Sequence, residues 1–133
     1  MPYKINETLL SKHDIGIGSF YFYNNLLISE INEGVTMSVD NTKELYKLID
    51  KYYGKSTPFV YIANRIHSYS FEPTGHYDFE KTFPNAKALA VVVYDKINTR
   101  AAEFEKVFVG PPMAIFNNVD KAIDWIQQYI PKD

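Results

Sequence analysis

The chain has 133 residues, a formal charge of −2 and no cysteine. Its length suits a single domain (1–133) whose core needs no metal or disulfide staple, and the missing thiol excludes thiol catalysis, disulfides and thiolate metal sites. Mixed charges without a basic face exclude sequence-independent nucleic-acid binding and an anionic membrane surface, and 46% hydrophobic residues exclude a disordered chain.

The first ten residues carry Lys4 and Glu7 and lack the apolar stretch of a secretion signal. The longest apolar run, Ala88 to Tyr94, is far too short to span a bilayer. A cytoplasmic protein is therefore expected. Residues 1–15 show no clear period and form either a lead-in strand or an N-terminal arm. Gly16 and Gly18 open an aromatic segment, Phe20-Tyr21-Phe22-Tyr23, and Asn24-Asn25 suits a tight hairpin turn into a second strand at 26–31. On the first strand Phe20 and Phe22 point to one face, Tyr21 and Tyr23 to the other. One pair enters the core; the other needs cover or forms an exposed patch, which makes all four candidates for a partner surface.

Residues 35–39 continue the strand after a bend at Asn32-Glu33-Gly34. A helix follows, capped by Asp40 or Asn41, with Glu44 in capping-box position after Asn41. Leu45, Leu48, Ile49 and Tyr52 share one face, and Gly54 ends it. Phe59 to Ala63 is a continuous apolar run, the pattern of a parallel strand covered on both faces. A polar loop at 64–76 and a weak helical segment at 76–83 lead to the strongest strand, 88–94. Asn98 or Thr99 caps the next helix, with Ala101, Phe104 and Phe108 inward. Gly110-Pro111-Pro112 forces a loop, 113–116 is the last strand, and Asn117 or Asn118 caps a final helix whose Ala122, Ile123, Ile126 and Ile130 share a face. Strands alternating with helices imply an α/β fold: a mainly parallel sheet of about five strands, an N-terminal antiparallel hairpin and helices packed on it.

Recognisable catalytic motifs are few and fail on context. Gly54-Lys55-Ser56-Thr57 resembles the tail of a phosphate-binding loop, but Ile49 stands where the first glycine belongs, and a helix precedes it where a strand should. Gly16-Ile17-Gly18 opens a strand and places Tyr21 at the third glycine of a dinucleotide fingerprint. His13, His67 and His76 lack zinc spacing, although His76, Asp78 and Glu80 would share a face if extended. There is no Gly-x-Ser-x-Gly elbow. Neither a catalytic residue, a metal site nor a cofactor is expected.

Open parallel sheets bind ligands beyond the carboxyl ends of their strands. Those ends carry Asn64 and Arg65, then Asp95 and Lys96, then Asn117 and Asn118, one polar rim beside helix N-termini. Asn64, Arg65, Asp95 and Lys96, with Ser68 and Ser70 in the hydroxyl-rich loop, are the ligand or regulatory candidates.

The order from Phe20 to Ile130 resembles the STAS domain of bacterial anti-sigma-factor antagonists and the wider group of Sec14-like lipid-binding domains. Phe22-Tyr23-Asn24-Asn25, Glu33-Gly34-Val35, Phe59-Val60-Tyr61-Ile62-Ala63-Asn64-Arg65 and Ala102-Glu103-Phe104-Glu105 give it the look of small STAS/Sec14-like proteins of Bacteroidetes-type bacteria. The resemblance implies a STAS-like regulatory module that docks a protein partner or a second copy of itself, or else a small-ligand or lipid-binding protein; an enzyme ranks last. In STAS antagonists a serine after the third strand is phosphorylated. Ser68 or Ser70 would occupy that place, with Arg65 near a phosphate, although no Asp-Ser-x-Gly motif surrounds them.

Overall fold

The computed structural model describes residues 3–5, 7–72 and 74–131. Eight strands and four α-helices follow in the order β1 (Leu9–Ile15), β2 (Gly18–Tyr23), β3 (Leu26–Ile31), β4 (Thr36–Met37), α1 (Lys43–Tyr52), β5 (Phe59–Asn64), β6 (Ser70–Phe71), α2 (Thr74–Thr82), β7 (Ala86–Val92), α3 (Lys96–Glu105), β8 (Met113–Phe116) and α4 (Val119–Ile126). Six strands form one mixed sheet in the order β1-β2-β3-β5-β7-β8, and β4 pairs with β6 as a separate two-stranded ladder.

The hairpin β2–β3 turns at Asn24-Asn25 and is antiparallel, whereas β3, β5, β7 and β8 run parallel. The main sheet has six strands, and of the two alternatives for the N-terminal segment residues 9–15 take the lead-in strand. They form β1, antiparallel to β2, and Tyr3 before them is buried; residues 1, 2 and 6 of that proposed arm lie outside the described residues. Only Thr36 and Met37 of 35–39 are strand, paired with a short strand inside what read as a polar loop.

Both faces of the sheet are covered. On one, Tyr21, Tyr23, Leu26, Ile28, Val60, Ile62, Ala90 and Val92 pack against Ala122, Ile123 and Ile126 of α4. On the other, Phe20, Phe22, Leu27 and Phe59 meet Leu45 and Ile49 of α1, Tyr53 and Phe83, while Ala63, Val91 and Val93 meet Ala102 of α3. Each large side chain so buried contributes about 1.5–3 kcal/mol relative to exposure. The hairpin aromatics therefore do not offer a partner surface: Phe20, Tyr21, Phe22 and Tyr23 are all buried within this chain. The second pair found cover in α4 and in Tyr3, whose ring meets Tyr21 edge-on at 5.2 Å.

Helix ends show where side-chain chemistry overrode spacing. Asn118 caps α4 by accepting from the Lys121 amide at 2.9 Å. The cap of α3 is Asp95, which accepts from the Asn98 amide at 2.7 Å, so Asn98 is inside the helix. At α1 the N-cap is Thr42, and Asn41 pairs reciprocally with Ser38 before it: its Oδ1 accepts from the Ser38 amide and its own amide donates to the Ser38 hydroxyl. Gly54, at φ +59°, ends α1 in the left-handed conformation. Gly18 has a steric reason: a Cβ there would lie 2.3 Å from the Glu30 carbonyl oxygen of β3.

Tyr53 locks α1 to the hairpin. Its buried hydroxyl donates to the carbonyls of Tyr23 at 2.6 Å and Leu26 at 2.8 Å, and its ring stacks on Phe59 at 4.5 Å between centroids. Tyr53→Phe keeps the stack and strands the two carbonyls, so it is expected to lower stability by about 1–3 kcal/mol, read as a lower urea midpoint at unchanged slope.

Candidate functional site

Three elements converge on one buried charge. Arg65 follows β5, and its backbone amide donates to the Val92 carbonyl at 2.9 Å, which holds the residue against β7. Its side chain is 6% exposed. Nη2 donates to Glu105 Oε2 at 2.6 Å, and Nε donates to the Tyr69 hydroxyl at 3.1 Å. His76 of α2 places Nε2 3.4 Å from the same Glu105 oxygen.

Burial alone would lower the Arg65 pKa, but Tyr69 and Glu105 outweigh it and keep the guanidinium firmly charged. Burial alone would likewise raise the Glu105 carboxyl. Hydrogen bonds from His76 and Arg65 overcome that and hold it below its ordinary value. Burial raises the Tyr69 hydroxyl, so it stays protonated. The cluster is thus a desolvated cation and anion, with a phenol on the cation and an imidazole on the anion.

This pair sets the rotational phase of α3. Ala102 and Glu105, three residues apart, share the inward face. Ala101 and Phe104, expected inside, are exposed. Bringing Glu105 to Arg65 turns the neighbouring phenylalanine out.

The cluster closes one end of a cavity between the sheet and α1 and α2, with about 80 Å³ open to the centres of water-sized molecules. Tyr61, Ala63, Ala86 and Leu89 form its floor, Leu45, Tyr46 and Phe79 its roof, and Arg65, Tyr69 and His76 its polar end. One water needs only ~10–15 Å³ of such volume, so a multi-atom apolar group fits. The floor coincides with an irregularity in the β5–β7 ladder, where Phe59 pairs with Ala86 but Tyr61 pairs with Leu89. A more open cleft lies at the carboxyl ends of β7 and β8, lined by Val93, Thr99, Ile115, Phe116, Asn117 and Lys121; it offers little enclosure.

The expected polar rim is not one surface. Asn64 is buried in a chain of hydrogen bonds: Tyr94 donates to its Oδ1 at 2.7 Å, its Nδ2 donates to the Tyr3 hydroxyl at 2.9 Å, and Tyr3 donates to Glu30. Arg65 points into the opposite layer. Asp95 and Asn118 are occupied as caps, and Lys96 is exposed on α3. Ser68 and Ser70 are exposed and do not share a site with Arg65. The Ser68 hydroxyl accepts from Asn98, which also donates to Asp95, and the Ser68 amide donates to Glu33. A phosphate on Ser68 would lie beside the Glu33 carboxylate and the Asn98 side chain that also serves Asp95. His76, Asp78 and Glu80 lie on a helix and so spread around it; among the described residues no three His, Asp or Glu side chains gather as a metal site. Sequence reasoning missed Glu105, Tyr69 and the cavity itself. The one available signal was an acid on the nominally apolar side of α3.

No family model, curated protein or solved structure matches the chain. Among the described residues no helix is long and apolar enough to cross a membrane.

Breaking a buried ion pair from one side leaves an uncompensated charge, at a cost of about 3–5 kcal/mol. Glu105→Gln should lose that much stability at neutral pH. Because the folded carboxyl titrates below its unfolded value, its contribution is complete above the ordinary carboxylate range and disappears as pH falls through the folded value. The gap between wild type and variant in urea should therefore narrow below about pH 4.

Proposed function

We propose that the chain is a non-catalytic binding module that takes a compact apolar group into the cavity between the sheet and α1 and α2. The cavity carries this reading: an apolar chamber with one polar end is the usual form of a small-ligand site, and close-packed interiors rarely leave such space. At about 80 Å³ it is well below the ~300–1,000 Å³ of pockets for drug-sized ligands, which favours a small ring or short branched chain over a long lipid tail. The resemblance to Sec14-like domains supports ligand binding as the role, though not a full acyl chain as the ligand. No cofactor enters the proposal.

Toluene tests it with the intact chain. A ligand that binds the folded state alone raises the melting temperature in proportion to its saturation. Toluene should raise it in wild type and leave it unchanged in Ala63→Leu, which fills the floor. The variant itself should melt at or above the wild-type temperature, because the added methyl groups enter open space. A wild-type melt indifferent to toluene, together with a destabilised Ala63→Leu, would show a packed interior and end the reading.

A second reading, the STAS-like interaction module, is favoured by a different observation. Phe104 packs on Phe108 at 5.4 Å and Phe108 on Tyr77 at 6.2 Å, and Phe104, Val107, Ile97 and Tyr77 remain exposed. Arg100, Glu103 and Lys106 intersperse both charge signs with this patch, as a self-complementary two-fold contact needs, so its partner is a second copy of the chain. Sedimentation should show a concentration-dependent dimer that Phe104→Glu converts to monomer; a wild-type monomer at high concentration removes the idea.

A further inference from the structure

Arg65 has more donors than partners. Its guanidinium carries five N–H groups; Nε serves Tyr69 and Nη2 serves Glu105, and Nη1 carries no hydrogen bond among the described residues. The side chain is more than nine-tenths covered, yet Nη1 is not among the fully occluded polar atoms that lack a partner. The free volume beside Arg65 is the cavity it lines. Tyr69 adds a second donor. Its oxygen accepts from Arg65, and its own proton is committed to no acceptor among the described residues. The polar end of the cavity therefore presents two unused donors, one of them charged. Glu80, the one carboxylate among the described lining residues, accepts from the Gly110 amide at the rim.

We infer that the ligand of this cavity is a compact apolar monocarboxylate, its carboxylate accepting from Arg65 Nη1 and its apolar body lying over Ala63 and Ala86. A hydrogen bond from guanidinium to carboxylate is roughly twice as strong as one between neutral groups. A neutral apolar molecule would fill the chamber and leave these donors unanswered, with the penalty of a buried unpaired polar group. This inference rests on the cavity being a ligand site.

Benzoate and benzyl alcohol have nearly the same shape and differ in charge. Titrating each into the full-length protein and following amide chemical shifts yields both affinities. Benzoate should bind at least about tenfold more tightly, the equivalent of one charge-assisted hydrogen bond, and shift the amides of residues 63–69. Equal affinities for acid and alcohol would overturn the carboxylate inference while leaving the cavity a ligand site. Binding of neither probe, nor of toluene, would overturn both.

Discussion

A guanidinium withdrawn from water has to be answered by an anion, and in this chain that requirement organises one side of the sheet. Arg65 sits where β5 ends, fixed to β7 through its backbone. Glu105 approaches it from the last turn of α3 and His76 from α2. Desolvating both ions is expensive enough that such a pair adds little net stability. What it does supply is position: α3 can take only the rotation that aims Glu105 inward, and α2 only the placement that brings His76 to the same oxygen. The pair thus acts as a register device, and the helices it positions form the end of the cavity.

The opposite side depends chiefly on apolar burial. Val60, Ile62, Ala90 and Val92 alternate with residues that face α1, α2 and α3, so each central strand is hydrophobic along its whole length. The hairpin extends this two-sided cover to its aromatics. Tyr21 and Tyr23 are amphipathic, and a sheet with a bare outer face would have left them half wet. Here α4 and Tyr3 lie over them. The aromatic content that looked like a contact surface is core, and the exposed aromatics are Tyr77 of α2, Tyr94 between β7 and α3, and Phe104 of α3.

What the chain disclosed in advance follows from the range of the physics involved. Period-two and period-3.6 patterns are local, so β2, β3, β5, β7, β8, α1 and α4 could be read from Phe59 to Ala63, from Leu45 to Tyr52 or from Ala122 to Ile126 without knowing the fold. β1 was ambiguous because an edge strand with one covered face alternates weakly: Lys12 and Asp14 keep its outer side charged, as edges usually are. Arg65 was singled out from its place at a strand end, but its environment was misjudged. Whether a charged residue at such a position faces solvent or core depends on a partner forty residues away, and no local pattern encodes Glu105 as that partner. The phase of α3 failed for the same reason. By hydrophobicity Phe104 belongs inside, and only the ion pair reverses it.

The cavity has a compositional trace that becomes meaningful once the contacts are known. In a chain so rich in aromatic residues, the space between β5, β7 and α2 is bounded by Ala63 and Ala86. A larger apolar residue at either position would project into it. The break in the β5–β7 register works to the same end: Ala86 and Leu89, three residues apart on one strand, both reach the cavity, which regular alternation would forbid. Side chains bordering a void lose contact partners on one side, and here that loss coincides with a buried cation that still has donors to spare. Two independent deficits, one apolar and one polar, meet at the same place, and a single small amphipathic molecule would relieve both.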